Sequence, residues 1–158
     1  MPDTTVTRTF ELRDEAATER LAHRLGRVLA PGDVIALRGD LGAGKTAFAR
    51  ALIRSLTHAD EDVPSPTFTL VQTYDTDRGA VWHFDLYRLS SPDEAIELGW
   101  DEVPVGIALV EWPDRLGRLL PAGRLDLTLS FGPAPTFRVA TFTGAGSWAS
   151  RLEPLEAS

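Results

Sequence analysis

Apolar positions along this chain change their period several times, and each change marks an element. Thr7 to Leu12 reads as a short strand. Ala17, Leu21, Leu25, Val28 and Leu29 then share one helical face, with Asp14 placed to cap it and Pro31-Gly32 to stop it. Val34-Ile35-Ala36-Leu37 is an unbroken apolar run opened by Pro31-Gly32-Asp33, the pattern of a buried strand. Lys45 to Leu56 contains no glycine or proline, and Phe48, Ala51, Leu52 and Leu56 recur at helical spacing. Asp60 to Pro66 is acidic, contains prolines and has no period. Thr69–Tyr74 and Val81–Leu86 read as two strands around Asp75-Thr76-Asp77-Arg78-Gly79, a hairpin.

In Ser91-Pro92-Asp93-Glu94, Ser91 is expected as N-cap, Pro92 at the first helical position and Glu94 as the return arm of a capping box. Gly99 ends that short helix. Gly106 to Glu111 is an apolar strand ending in an acid. Leu125, Leu127, Leu129 and Phe131 alternate with Asp126, Thr128 and Ser130, a half-buried strand. A Gly-Pro-Ala-Pro turn leads to a last strand, Thr136 to Phe142, and beyond Gly146 the helical pattern is too weak to assign. The expectation is an α/β fold: a mixed β-sheet flanked by helices, parallel in the early half and built of hairpins in the later half. No repeat or linker interrupts it. Residues 1–158 therefore read as a single compact domain, with the tail after about residue 144 unassigned.

The chain has 158 residues, enough for one sizeable core. Its net charge of −7 argues against a broad nucleic-acid footprint, which needs clustered positive charge. It has no cysteine, so neither a disulfide framework nor a thiolate metal site is available. No apolar run approaches the ~18 residues of a membrane span. Met1 to Leu12 is polar and mixed in charge, unlike a signal peptide. A cytoplasmic protein without a membrane partner is expected.

Lys45 is the only lysine in the chain, and every other cationic side chain is arginine. It lies in Gly39-Asp40-Leu41-Gly42-Ala43-Gly44-Lys45-Thr46, a G-x-x-x-x-G-K-[ST] phosphate loop between the expected strand and helix. The chemistry explains the residue types. Glycines let successive N–H groups close around phosphate oxygens, and Thr46 offers a hydroxyl to Mg²⁺. A lysine ammonium is a compact charge on a flexible stem that reaches outer phosphates. The free N–H groups and dipole of the following helix favour an anion.

Two acids end apolar strands. Glu111 follows Ile107-Ala108-Leu109-Val110, and Asp85 follows Val81-Trp82-His83-Phe84. Either could hold Mg²⁺, directly or through water, while the other orients the attacking water. Alternation places His83, Asp85 and Tyr87 on one face and Trp82, Phe84 and Leu86 on the other. His83 is open to two readings, a satisfied buried histidine or a catalytic one. Ser65, Thr67 and Thr69, in Ser65-Pro66-Thr67-Phe68-Thr69, are hydroxyls on a loop after the phosphate-loop helix. They could sense a γ-phosphate or form an ordinary turn.

Four segments occur in register: the phosphate loop, Ser65-Pro66-Thr67-Phe68-Thr69-Leu70-Val71, His83-Phe84-Asp85-Leu86-Tyr87-Arg88-Leu89 and Glu111-Trp112-Pro113. From about Thr18 to about Arg138 the chain resembles the TsaE (YjeE) family, the ATPase component of bacterial tRNA threonylcarbamoyladenosine (t6A) biosynthesis. The resemblance implies a P-loop NTPase-like domain that binds ATP or ADP with Mg²⁺ through residues 39–46. It implies Thr46 and Glu111 on the metal side, Lys45 and Asp85 in hydrolysis, Ser65 to Thr69 as a switch and Thr18 near the nucleotide base. It also implies TsaD and TsaB as partners, which transfer the threonylcarbamoyl group to adenosine 37 of tRNAs reading codons that start with A. Contact with tRNA would run only through those partners, in keeping with the acidic charge.

Two other functions fit a phosphate loop in a chain of this length. One is a small-metabolite kinase, for which Arg115, Arg118 and Arg124 would be the lid. Pro113, Gly117 and Pro121-Ala122-Gly123 make that stretch read instead as a connection. The other is a nucleotide-sensing scaffold with little turnover.

Overall fold

A computed structural model describes residues 5–40 and 42–156, with the side chains of Pro104 and Glu156 outside the description. Strand β1 (Thr5–Leu12) leads through helix α1 (Glu15–Val28) to β2 (Val34–Arg38) and α2 (Lys45–Leu56). The hairpin β3 (Val71–Thr76) and β4 (Gly79–Asp85) follows, then α3 (Asp93–Glu97), a 3₁₀ segment at Trp100–Val105 and β5 (Ile107–Glu111). A second 3₁₀ segment (Pro113–Leu119), β6 (Leu125–Phe131), β7 (Arg138–Ala145) and α4 (Trp148–Arg151) complete the order, with a last 3₁₀ turn at Glu153–Glu156.

Asp14 caps α1 as expected, its Oδ1 accepting from the Ala17 N–H at 2.9 Å. The face of Leu21 and Leu25 is buried, worth about 1.5–3 kcal/mol for each leucine. The start of α3 differs from the expected capping box. Ser91 makes no side-chain cap bond, Pro92 holds the cap position, and Glu94 reaches back one residue further to the Ser90 N–H, 3.0 Å away. The box has slipped by one residue because Pro92, with helical φ/ψ, already belongs to the turn.

The seven strands form one mixed sheet in the order β1-β7-β6-β2-β5-β4-β3. β6, β2, β5 and β4 are mutually parallel. The antiparallel pairs lie at the two edges, β4 with β3 on one side and β6-β7-β1 on the other. This corrects the expected division into an early parallel and a late hairpin half. The parallel core draws strands from all along the chain, and β1 pairs with the last strand. Strand alternation divides the interior between the two faces. Ile35, Leu37, Leu109 and Val81 join Leu21, Leu25, Phe48 and Leu52 under α1 and α2. Val34, Ala108, Val110 and Phe84 join Trp100, Val103 and Leu116 on the opposite face.

The tail that the sequence left unassigned packs onto the first of these cores through Trp148, Leu152 and Leu155. Arg151 is paired with Asp33 through both guanidinium nitrogens, and the Trp148 indole donates to the Gly123 carbonyl at 3.1 Å. Among the described residues no helix is long and apolar enough to cross a membrane.

In the register of the parallel core, Leu37 lies opposite Glu111 and Glu111 opposite Asp85. The carboxyl ends of β2, β5 and β4 therefore line up. In open α/β sheets this edge is where ligands bind.

Candidate functional site

β2 hands the chain to the phosphate loop at Gly39, whose φ is +141°. A Cβ there would stand 2.4 Å from the Leu129 carbonyl oxygen on β6, so the loop can leave the sheet this closely only as glycine. Gly44, at φ +104°, is the N-cap of α2, and nothing lies within 4 Å of where its Cβ would be. No side chain caps α2 and no acid occupies its first turn. The free N–H groups and positive dipole end thus face an open concavity, which suits an anion. Asp40 is exposed at the loop's rim, and Leu41 lies outside the described residues.

Lys45 is buried, with only 6% of its surface exposed. Its Nζ donates to the Gly39 carbonyl at 2.8 Å and lies 4.0 Å from the centre of the Trp112 ring. The ammonium is held across the loop before any anion arrives. Trp112 has left-handed backbone angles, φ 59° and ψ 53°. Such a conformation costs a non-glycine residue about 1–3 kcal/mol and persists only where its surroundings demand it.

Thr46, the next residue on α2, donates its hydroxyl to the Glu111 carboxylate at 3.0 and 3.1 Å. His83 Nε2 lies 2.8 Å from Glu111 Oε2. His83 and Glu111 are both buried, while Nδ1 of His83 has no hydrogen-bond partner among the described residues. Asp85, the neighbouring strand-end acid, has different company. Its Oδ1 accepts from the Tyr87 N–H at 3.1 Å, and its Oδ2 accepts from the Thr67 hydroxyl at 3.4 Å. Thr67 in turn bonds Ser65 at 2.7 Å. Thr69 is not brought to Asp85: its hydroxyl accepts from Gln72 Nε2 at 2.9 Å, at the start of β3.

The connection before this segment is held more firmly than its irregular sequence suggests. Arg50 and Arg54 of α2 donate through Nε to the carbonyls of Val63 and Glu61. The chain then closes on β4, where Leu70 accepts from the Asp85 N–H at 2.9 Å while itself at φ 70°. Between these anchors Phe68 is 80% exposed, with the Arg88 guanidinium 4.9 Å from its ring centre. Tyr87, beyond the end of β4, is also exposed and packs on Trp112 with ring centres 4.9 Å apart.

A cavity of about 550 Å³ opens beside the loop. Thr18 of α1, Gly44, Ala47 of α2 and Arg138 of β7 are among its walls. Arg138 is a site residue that sequence reasoning missed. Its guanidinium reaches the carbonyls of Pro135 and Phe137 and lies 3.4 Å from the carbonyl of Gly42 in the phosphate loop. Nothing in the local pattern separates Arg138 from any other outward residue of a half-buried strand.

Two of the three arginines considered for a lid are otherwise engaged, and the Arg115 guanidinium lies over the exposed Tyr87 ring, 5.8 Å from its centre. Arg118 pairs with Asp93 at 3.5 Å, and Arg124 with Asp126 and the Pro121 carbonyl, both at 3.0 Å. Arg38, at the end of β2, bridges Asp114 and Asp126 and so fastens the connection after β5 to the sheet. Burial on its own would lower the Arg38 guanidinium. The hydrogen bonds and charges of Asp114 and Asp126 outweigh it and hold the group above its ordinary value. This stretch is the connection its prolines and glycines predict.

The site is fitted to a nucleotide phosphate chain: an open cradle of N–H groups, one ammonium across it and a cavity at its flank. It is also fitted to Mg²⁺ of the kind that accompanies phosphates. Among the described residues no cluster of three or more His, Cys, Asp or Glu exists to cage a metal. A hydroxyl and a carboxylate in contact beneath a phosphate cradle are what Mg²⁺ uses when water and phosphate supply the other ligands.

A family model described as threonylcarbamoyl adenosine biosynthesis protein TsaE matches residues 12–136. A relative from Rickettsia felis, named tRNA threonylcarbamoyladenosine biosynthesis protein TsaE, is 42% identical over 119 residues, 75% of this chain and 70% of its own. One of the same name from Aquifex aeolicus is 44% identical over 105 residues, 66% of this chain and 75% of its own. The crystal structure of Bacillus subtilis YdiB superposes with a TM-score of 0.76 at 29% identity, covering 96% of this chain and 95% of that one. The P-loop site and the four motifs thus stand on the fold that such relatives share, and the chain belongs to the TsaE family of threonylcarbamoyl adenosine biosynthesis proteins.

Proposed function

We propose that this chain is the ATP-binding and ATP-hydrolysing subunit that supports formation of N6-threonylcarbamoyladenosine at position 37 of tRNA, acting on a TsaD–TsaB transferase pair. One observation carries the reading: the Thr46 hydroxyl is bonded to the buried Glu111 carboxylate directly beneath an open phosphate loop. A phosphate loop alone binds nucleotide, whereas an acid locked to the loop's own threonine supports phosphoryl chemistry. The family membership supports the tRNA modification role.

Residues 39–46 would cradle the phosphates of ATP or ADP, with Lys45 reaching the outer ones. The Lys45 ammonium would exchange the Gly39 carbonyl for phosphate oxygen without a large movement. Thr18 and Arg138 would flank the rest of the nucleotide in the adjoining cavity. Thr46 and Glu111 would hold Mg²⁺. Mg²⁺ held there would supply positive charge to offset that of the phosphates. Asp85 would orient the attacking water: its Oδ2 accepts from Thr67 and its Oδ1 from the Tyr87 N–H, and neither is bonded to the metal-side pair. Ser65, Thr67 and Thr69 would form the switch, with Ser65 and Thr67 coupled to Asp85, and Thr69 would exchange its bond from Gln72 to turn toward a γ-phosphate.

Arg88, which follows the Asp85 strand, lies over the exposed Phe68 ring, and a partner would supply or position the further positive charge, so slow turnover alone and acceleration by the partner pair are expected. The whole chain, on this reading, is one working unit in the cytoplasm. The test measures ATP turnover with and without TsaD–TsaB, and partner affinity with ADP, with a non-hydrolysable ATP analogue and with no nucleotide. Acceleration together with nucleotide-dependent affinity supports the proposal. Equal affinities and no acceleration would return the kinase reading, with candidate acceptors as the next trial.

A further inference from the structure

We propose that His83 is a positioning residue: its Nε2–H holds the Glu111 carboxylate in the one orientation that meets Thr46, and thereby sets how strongly the pair takes a divalent cation. This rests on the metal-side reading of Glu111. It concerns a residue to which neither the motifs nor the fold assigns a task.

Three observations carry it. His83 is completely buried, as few histidines are, and Glu111 beside it is 3% exposed. The bond between them is short, 2.8 Å, and joins two adjacent parallel strands. The other ring nitrogen, Nδ1, has no partner among the described residues. An ionised Glu111 only accepts, so Nε2 must carry the proton that it shares. Among the described residues Nδ1 faces neither a donor nor an acceptor, and an unpaired buried polar atom disfavours the fold. An apolar side chain would avoid that cost, and the same face of β4 already carries buried Val81. Histidine at this position gains nothing for packing that leucine could not supply. What it adds is one N–H aimed at one carboxylate oxygen.

The geometry gives that N–H a use. Glu111 has a flexible stem, and without His83 the described residues leave its carboxylate oriented by the exchangeable hydroxyl of Thr46. When Thr46 turns toward a cation, His83 remains as the fixed partner. Such outer partners of a metal-holding carboxylate typically change metal affinity by about 10–100-fold when removed.

The experiment measures ADP affinity by calorimetry as a function of Mg²⁺ concentration, with fold and stability followed by circular dichroism. His83→Leu removes the donor at similar volume. His83→Gln restores an N–H at the reach of Nε2, and His83→Asn carries one too short to arrive. Glu111→Gln and the double variant His83→Leu/Glu111→Gln are run beside them. The expected result is an Mg²⁺ requirement raised about tenfold or more in His83→Leu and His83→Asn. His83→Gln is expected near the wild type, metal-free ADP affinity unchanged in the His83 single variants, and the double variant no worse than Glu111→Gln. If His83→Leu does not fold, the contrast between Gln and Asn decides. An unchanged Mg²⁺ requirement in the donor-lacking variants, with Glu111→Gln shifted, overturns the role of His83 and leaves Glu111 on the metal side. No shift in Glu111→Gln itself removes the metal-side reading and the positioning role together.

Discussion

Glu111 and Asp85 end two adjacent parallel strands and lie opposite each other in register, yet their surroundings differ in kind. Glu111 is locked between the core and the helix that carries the phosphate loop, through His83 on one side and Thr46 on the other. Among the described residues both partners of its carboxylate belong to regular elements. Asp85 is tied instead to Tyr87, beyond the end of β4, and to Thr67, in a segment whose tip is exposed. One carboxylate is fixed to the scaffold and the other to a part that can be reached from outside. On the proposed function this separates two tasks, holding the cation and reporting the state of the terminal phosphate. It also explains how a partner could control hydrolysis without disturbing nucleotide binding.

The largest expected effect removes what the two acids share. Lys45→Ala deletes the only ammonium at the loop and leaves phosphate charge uncompensated, a loss of about 2–5 kcal/mol in binding. Calorimetry with ADP and ATP checks it, and near-normal affinity in the variant would falsify the phosphate-loop assignment.

Replacing each acid in turn breaks the comparison directly. Glu111→Gln and Asp85→Asn are both expected to lower partner-stimulated turnover by about 10²-fold or more while sparing most nucleotide affinity. Only Glu111→Gln should change the Mg²⁺ dependence of binding. Identical Mg²⁺ profiles for the two variants would erase the distinction. A smaller effect is expected at Thr67→Val, which removes the hydroxyl 3.4 Å from Asp85. The lost bond is worth about 0.5–1.5 kcal/mol, so turnover with partners should fall by less than about tenfold, with ADP affinity unchanged. A large fall in ADP affinity would mean that this segment supports the loop and is not a separate reader.

The rigid region was far more legible in the sequence than the exposed one. The phosphate loop, β2 and α2 are contiguous, so one motif and two periodicities within 34–56 define them, and α2 has the bounds expected of it. Glu111 and Asp85 stood out because each ends an apolar run. The bond from His83 to Glu111 could not be read, since it depends on β5 lying next to β4 and no local pattern encodes strand order. The same holds for Arg138, delivered to the loop by β7, and for the pairing of β1 with the far end of the chain. Trp112 was visible as part of Glu111-Trp112-Pro113, but its contact with Lys45 is long-range. In the Ser65–Leu70 segment, chemistry was suggested by residue type alone. The segment's anchors, Arg50 and Arg54, sit on α2 as ordinary surface cations in the sequence, and their hold on Val63 and Glu61 appears only in three dimensions.

The smallest effect tests how that anchored connection rests on the sheet. Tyr74 of β3 is buried beneath it, and its hydroxyl has no hydrogen-bond partner among the described residues. Burial raises the Tyr74 phenol above its ordinary value, and the nearby carboxylates of Glu61 and Asp62 raise it further, against a lowering by Arg50. An unfolded tyrosine titrates near pH 10. Below that pH both states hold the proton, and the burial of the ring contributes fully to stability. Above it the unfolded chain releases the proton while the folded one keeps it, so the unfolded state binds fewer protons and stability falls as pH rises through the folded value. Tyr74→Phe removes both the orphaned hydroxyl and this dependence. At neutral pH the variant should be as stable as the wild type or up to about 1 kcal/mol more so, since an unsatisfied buried polar group is exchanged for a hydrogen. At pH 11 the gap should widen in the variant's favour, as measured by urea unfolding at both pH values. A constant gap would mean that the phenol is not held by the acidic connection. A variant destabilised at neutral pH would mean that the hydroxyl has a partner in solution, and that the connection over β3 is packed through water and not through Arg50 and Arg54 alone.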